Sequence, residues 1–499
     1  MGKVNTIGAL VMLGCSVAAA ALSRTGLRPP QPGSAHAARM PLPRLAVHAD
    51  QRYLVQQDGT PFLYLSDTAW ELFHRADQEQ VREYLDLRAR QKFTVIQAVA
   101  LAELNGIDDP NTYGDLPLID KDPARPATTP GANPANAEEY DYWDHVDYVV
   151  DEANRRGLYV AFLPTWGRWL GVNPRDEQVI TAANAQPYGE FLGKRYAKKG
   201  IIWVLGGDRT GQGFEDVWRA MARGIAIGAS GRENYDAVLT TYHPGGGHTS
   251  STWFHGDPWL DVNMQQTGHG PAATARPWEK IAADYARTPV KPVIEGEPLY
   301  EDHPIGFARG VRENGFSSDN HVRQRAYWTL FAGAAGVAYG HHSVWQMYAP
   351  GRRPVNGPLY FWTEAIHRSG ASQMQHVRTL MESRPMLSRV PDQSLIVDVL
   401  DGRERIQAMR APDHVFVYTG SGIAFTANLG RISGTHVKAY WYNPRNGTST
   451  DIGVFENSGR REFTPQYEGL GSDWVLVLDD ASKKYRAPGR LVAGPPSAP

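Results

Sequence analysis

The chain has 499 residues and 42% hydrophobic content, enough for a large barrel plus a module of about 100 residues. Lys and Arg total 51 against 53 Asp and Glu, a net charge of −2, and nothing in that balance points to a nucleic-acid or polyanion partner. Cys15 is the only cysteine, so no intrachain disulfide can form and the core alone must hold the fold.

The first segment reads as an export signal. Lys3 precedes an uncharged apolar stretch, Ile7 to Leu22, and a polar, Pro-rich segment runs from Arg24 to Arg44. The apolar run is short for a membrane span, so residues 1–44 are read as a signal or anchor with a linker, and no transmembrane span is expected in the mature protein. Small residues at Ala18–Ala21, or Ala35-His36-Ala37, suit an ordinary signal peptidase. Leu13-Gly14-Cys15 also resembles a lipoprotein box that would acylate Cys15, although Met12 stands where leucine is usual. Either route predicts a secreted, periplasmic or cell-envelope protein.

Beyond Arg44, short apolar runs alternate with helix-like stretches, the pattern of βαβ units and a parallel sheet. The runs are Phe62–Ser66, Thr94–Val99, Tyr159–Leu163, Ile201–Leu205, Ala237–Tyr242, Leu260–Met264, Pro292–Glu295 and Gly336–Tyr339. Helices are expected near Gln78–Gln91, Glu138–Arg156, Asp176–Lys198 and Pro277–Ala286, while the fifth and sixth runs are expected to be joined by a loop. A Pro-, Gly- and Asn-rich insertion, Asn105–Asn136, follows the second run, where a barrel carries substrate loops. Eight runs predict one (β/α)8 TIM barrel over residues 45–385. After Met381–Pro385 the period shortens, with β-rich segments at Leu395–Leu400, Ile406–Arg410, His414–Thr419, Val437–Tyr442 and Trp474–Leu478. These predict a small antiparallel β-sandwich over 386–480 and a disordered tail over 481–499.

Barrel active sites lie at the C-terminal ends of the strands, so the polar residues ending each run are the candidates. The fourth run ends Trp203-Val204-Leu205-Gly206-Gly207-Asp208-Arg209, with two glycines delivering a carboxylate to the barrel mouth. The seventh ends Ile294-Glu295-Gly296-Glu297-Pro298. Glycosidic hydrolysis needs one protonated carboxyl group to release the leaving oxygen and one ionised carboxylate across the sugar. Strands four and seven oppose each other at a suitable span. An Asp208–Arg209 ion pair capping the turn is the structural alternative. Glu295 and Glu297 would share a facing if the strand continued through Gly296, so spacing leaves that choice open.

Other strand ends supply sugar-type ligands: Asp67 and Trp70, Gln97 and Glu103, Trp166, His243, His255 and Asp257, Asn263, Gln265 and His269, and His341 and Trp345. Carboxylates, amides and imidazoles read hydroxyls, and Trp offers a flat stacking face. Taken singly, packing or capping explains any one of them. Adjacent His341 and His342 point to opposite sides, and there is no His-Glu-x-x-His run or Cys pair, so neither metal nor cofactor is expected.

Five ordered stretches resemble the apiosidase-like glycoside hydrolases, glycoside hydrolase family 140 and its relatives. They are Phe62–Phe73, Trp203–Asp208, Trp253–Gln265, Gly296-Glu297-Pro298 with Tyr300-Glu301, and Tyr339–Gln346. The resemblance spans residues 45–480. It implies Asp208 as acid/base and Glu297 as nucleophile, with retention of configuration. For substrate it implies a pentose-like, apiosyl or related linkage in a polysaccharide. Exo action in a pocket is expected, with a carbohydrate as the partner. The rival of another class is a non-catalytic carbohydrate-binding protein on the same scaffold, against which the presence of both acids argues.

Overall fold

Eight short parallel strands run through the centre of the computed structural model, which describes residues 41–174 and 176–489. They are β1 (Tyr64–Thr68), β2 (Val95–Leu101), β3 (Tyr159–Thr165), β4 (Ile201–Gly206), β5 (Thr240–His243), β6 (Asn263–Gln265), β7 (Val293–Glu295) and β8 (Gly336–Gly340). The ladder order is β5-β4-β3-β2-β1-β8-β7-β6, so β1 and β8 pair directly, from Tyr64 opposite Gly336 to Thr68 opposite Gly340. Only β5 and β6 lack a ladder. Asp261 bridges them, its N–H donating to Thr240 O (2.9 Å) and its Oδ2 accepting from Thr240 N–H (2.8 Å). The result is a nearly closed barrel. Strands buried on both faces explain why they read as continuous apolar runs.

Boundaries shift where side chains compete with the ladder. β5 starts only at Thr240 because Tyr235–Ala237 forms a 3₁₀ turn, and β6 starts at Asn263 because Asp261 is engaged in the bridge. β1 starts at Tyr64, since Pro61–Phe62 belongs instead to a three-stranded antiparallel sheet with Leu45–Val47 and Leu54–Gln56. The β5–β6 link is a loop carrying one helical turn, Ser251–Phe254.

Helices α1 (Gln78–Arg90) and α2 (Tyr142–Arg155) begin in capping boxes, Asp77 with Gln80 and Asp141 with Asp144, which satisfy their free amides reciprocally. Helices α3 (Ala182–Tyr196) and α4 (Glu215–Ser230) touch through Gly189, Gly193, Gly224 and Gly228. A Cβ on Gly193 would sit 2.2 Å from Ile225 O, so the two backbones meet directly. Three more helices matter below: α5 (Pro277–Tyr285), α6 (Asp319–Phe331) and α7 (Ser369–Glu382).

The C-terminal domain has eight strands: β9 (Val390–Pro391), β10 (Ile406–Arg410), β11 (His414–Thr419), β12 (Phe425–Asn428), β13 (His436–Tyr442), β14 (Ser449–Glu456), β15 (Arg460–Phe463) and β16 (Trp474–Asp480). Six form one antiparallel sheet, in the order β9-β10-β11-β16-β13-β14, and β12 pairs with β15 as a ribbon. The expected strand at Leu395–Leu400 is instead a 3₁₀ turn, Gln393–Leu395, with one bridge from Ile396 to Ala427. Residues 481–489, expected to be disordered, pack onto the sheet. Tyr485 donates to Asp413 (2.7 Å) and Arg384 donates to Arg486 O (2.8 Å). The export segment to residue 40, Cys15 and the tail beyond 489 lie outside the described residues.

Barrel and sheet are joined by α6. Tyr327 stacks on Tyr418 (centroids 4.8 Å, 12°), Trp328 Nε1 donates to Arg405 O (3.0 Å), and buried Arg323 pairs with buried Asp473 (2.8 Å). One continuous cluster of buried side chains runs from the barrel to Phe416, Tyr418 and Val475, while Trp441 and Trp474 belong to a second core on the sheet's far side.

Candidate active site

At the mouth of the barrel a cavity of about 370 Å³ opens among the loops that follow the strands. Its walls include Asp208 from the β4 turn, Glu297 from the β7 turn and Glu103 past β2, with Trp70, Trp166 and Trp345 as flat faces. Asp208 gets there through an unusual turn. Gly206, Gly207 and Asp208 have φ of +91°, +120° and +54°, and a Cβ on Gly206 would lie 2.2 Å from His243 O. Only glycine fits the first two positions, and Asp is among the few residues at ease in the left-handed region.

Glu297 is 6% exposed and sits between two imidazoles. His269 Nε2 is 3.0 Å from its Oε1, and His243 Nε2 is 3.1 Å from its Oε2, though off the line of a good hydrogen bond. Burial alone would push this carboxyl up. The two imidazoles, His243 and His269, outweigh it and hold Glu297 at about 2.

His243 connects the two acids. Its Nδ1 accepts from the Asp208 N–H (3.3 Å), so that nitrogen carries the lone pair and the proton sits on Nε2, toward Glu297. The rings of Trp70 and Trp166 hold it at centroid distances of 5.4 and 5.6 Å. Asp208 itself takes bonds from Gln266 Nε2 (3.2 Å) and Arg209 Nη1 (3.3 Å). Burial, and next the Glu297 charge, push the Asp208 carboxyl above its ordinary range, against the pull of His243, Arg209 and Gln266. The Asp208–Arg209 pair proposed as a turn cap therefore exists within the cavity wall.

Glu295 and Glu297 part company because β7 ends at Glu295. Glu295 points outward to the helix layer. Its Oε1 accepts from Thr267 N–H (3.0 Å), with Arg325 and Lys280 as its charged neighbours, and burial pushes it up to about 7. It does not line the cavity. It anchors the loop that carries Gln266 to Asp208 and His269 to Glu297.

The structure brings Trp70, Glu103, Trp166 and Trp345 together on the cavity wall, with His243 behind it between the acids. The other expected ligands lie elsewhere. Asp67 is consumed by buried Arg88 and Tyr84 on α1. Gln97 lies inside the barrel, donating to Thr68 Oγ1 and Gly296 O (both 3.0 Å). Gln265 faces outward to Asp284 of α5 (2.7 Å), and Asn263 pairs with His255 (3.2 Å). Asp257 holds Arg219 and Trp259 in the β5–β6 link, and His341 holds Asp302 (3.0 Å). His269, expected from the end of the sixth strand, also lines the cavity, and residues not anticipated as ligands line it as well: Gln266, Tyr300, His303 and Phe307. His269 and His303 stack at 4.0 Å, and Tyr300 Oη and Trp166 Nε1 are buried without a partner among the described residues. Among the described residues no group of three or more His, Cys, Asp or Glu is placed to hold a metal ion.

Residues 48–388 match the family described as "Apiosidase-like, catalytic domain", and residues 390–479 match the "Putative collagen-binding domain of a collagenase". A solved structure described as a glycoside hydrolase is 33% identical, with a TM-score of 0.79 over 89% of this chain and 98% of its own. A glycoside hydrolase family 5 structure from Bacteroides vulgatus is also 33% identical, with a TM-score of 0.78 over 89% of this chain and 94% of its own. No curated protein matches the chain. Fold and likeness together define the class, a glycoside hydrolase. Within that class the chain belongs to the apiosidase-like family.

Proposed function

We propose that the chain is an exported, retaining glycoside hydrolase, exo-acting on a pentose-like, apiosyl or related, linkage of a polysaccharide. The observation that carries this reading is the opposite tuning of two carboxyls on either side of one imidazole: Glu297 held ionised, Asp208 pushed toward protonation. In the first step the Asp208 carboxyl gives its proton to the glycosidic oxygen as the C–O bond breaks, and a Glu297 oxygen bonds to the anomeric carbon. In the second, Asp208 takes a proton from water, whose oxygen displaces Glu297 and restores the original configuration. The cavity volume, at the lower end of about 300–1,000 Å³ for small-molecule sites, suits one or two sugar units and hence chain-end action. Export is supported by the Lys3 and Ile7–Leu22 pattern.

The test is release of sugar from a panel of plant and bacterial polysaccharides by wild type, Asp208→Ala and Glu297→Gln, with the anomer of the first product followed by NMR. Release by the wild type alone, with configuration retained, is expected. An active Glu297→Gln sinks the nucleophile assignment, and glycan binding without release by the wild type moves the binding-protein reading ahead.

A further inference from the structure

Three carboxyl groups, not two, reach the cavity. Glu103 stands just past the end of β2 with its main chain clamped. Arg168 Nη1 (2.8 Å) and Asn105 N–H (2.9 Å) both donate to its carbonyl oxygen. The next amide, Leu104 N–H, donates to buried Glu71 Oε1 (2.9 Å), and Glu71 is held in turn by His74 and Arg75. The Glu103 side chain, by contrast, makes no hydrogen bond or ion pair among the described residues. A carboxyl with a fixed base and unmet bonding capacity on a cavity wall is arranged for a ligand.

We infer that Glu103 is the specificity-determining contact to two adjacent sugar hydroxyls, so that the site takes an uncharged sugar with a vicinal diol and turns away a uronate. The groups facing it support this. Asp208 and Arg209 after β4, Glu297 after β7 and Glu71 after β1 act on it, and burial, then the Asp208 charge, push its carboxyl up to about 8. In neutral solution it therefore keeps one O–H donor beside an acceptor oxygen, the complement of two neighbouring alcohols. A uronate carboxylate would meet the ionised Glu297 in the same cavity, while Arg209, the cation nearest by, is already paired with Asp176 and Asp208.

The inference rests on the glycosidase reading but is tested without turnover. Saturation-transfer NMR titrations use D-xylose, L-arabinose, D-galactose and D-galacturonate against wild type, E103Q and E103A, followed by deoxy analogues of the tightest binder. Gln keeps one donor and one acceptor, so E103Q is expected to bind within about threefold of wild type. E103A is expected to bind about tenfold more weakly, the equivalent of about 1.4 kcal/mol. One deoxy sugar should bind wild type poorly yet bind E103A no worse than its parent does, the mark of a shared contact. E103A binding every sugar like wild type overturns the inference. So does a deoxy penalty that survives E103A, D-galacturonate bound as tightly as D-galactose, or no transfer from any sugar. Sugar release by the wild type, lost in Asp208→Ala, decides the hydrolase reading separately.

Discussion

Replacing His269 by Ala should move the acid limb of the pH–rate profile upward by one to two pH units. A carboxyl held at about 2 instead of 4.5 favours its ionised form by about 3 kcal/mol more than in water, at 1.36 kcal/mol per pH unit. His269 supplies the better aligned of the two imidazole bonds, and a hydrogen bond to a charged group is worth about 1.5–3 kcal/mol. Its loss leaves burial less opposed, so Glu297 should rise toward the ordinary carboxylate range. The sign follows from the role. An ionised nucleophile is active above its pKa, and activity disappears as pH falls through it, so a raised pKa brings that loss nearer to neutrality. The assay is kcat/KM between pH 3 and 7 for wild type, His269→Ala and His269→Gln, with Gln expected between the two because it keeps an N–H donor. An acid limb unmoved in a folded His269→Ala protein would refute the reasoning.

Two further substitutions test the placement of residues. Asp67→Ala strands buried Arg88 without its partner and should cost about 3–5 kcal/mol in urea unfolding while leaving KM unchanged; a raised KM would return Asp67 to the list of sugar ligands. Gly193→Ala forces a methyl group against Ile225 O and should cost about 1–3 kcal/mol, lowering Tm; an unchanged melt would mean that α3 and α4 can slide apart.

The strands were legible in the sequence where burial on both faces makes the run nearly continuous in apolar residues, as in β2 and β3; β5 and β6 are largely polar, and only the residues before them made their runs. Gly-Gly-Asp and Glu-Gly-Glu directly after such runs marked the ends of β4 and β7 as acid-bearing, but only the family resemblance separated Glu297 from Glu295. The three-stranded sheet at Leu45–Phe62 was not, since strands of two or three residues carry no period. Asp67 misled because its partner, Arg88, lies on the following helix and no local pattern marks the pairing. Gln265 misled because a strand end has two sides, and its register opposite Glu295 turns both outward. Gln266 and His269 sit in the loop beyond β6, where spacing gives no direction; their signal was only their nearness to a strand end. Tyr300 lay within a quoted motif, but no rule of alternation showed that it would face the cavity.

The continuous core shared by barrel and sheet makes the protein one cooperative body rather than a catalytic unit with an attachment. Cutting the chain near residue 389 would bare Tyr327, Trp328 and Phe331 and take Asp473 from Arg323, leaving it only Asp319. The sheet face nearest the barrel is spent on this union, and the exposed edge strand β14 and the ribbon of β12 and β15 lie among the surfaces it leaves free. Admission of substrate and escape of product pass the loops at the barrel mouth, where exposed Phe307 stands over His269 and His303.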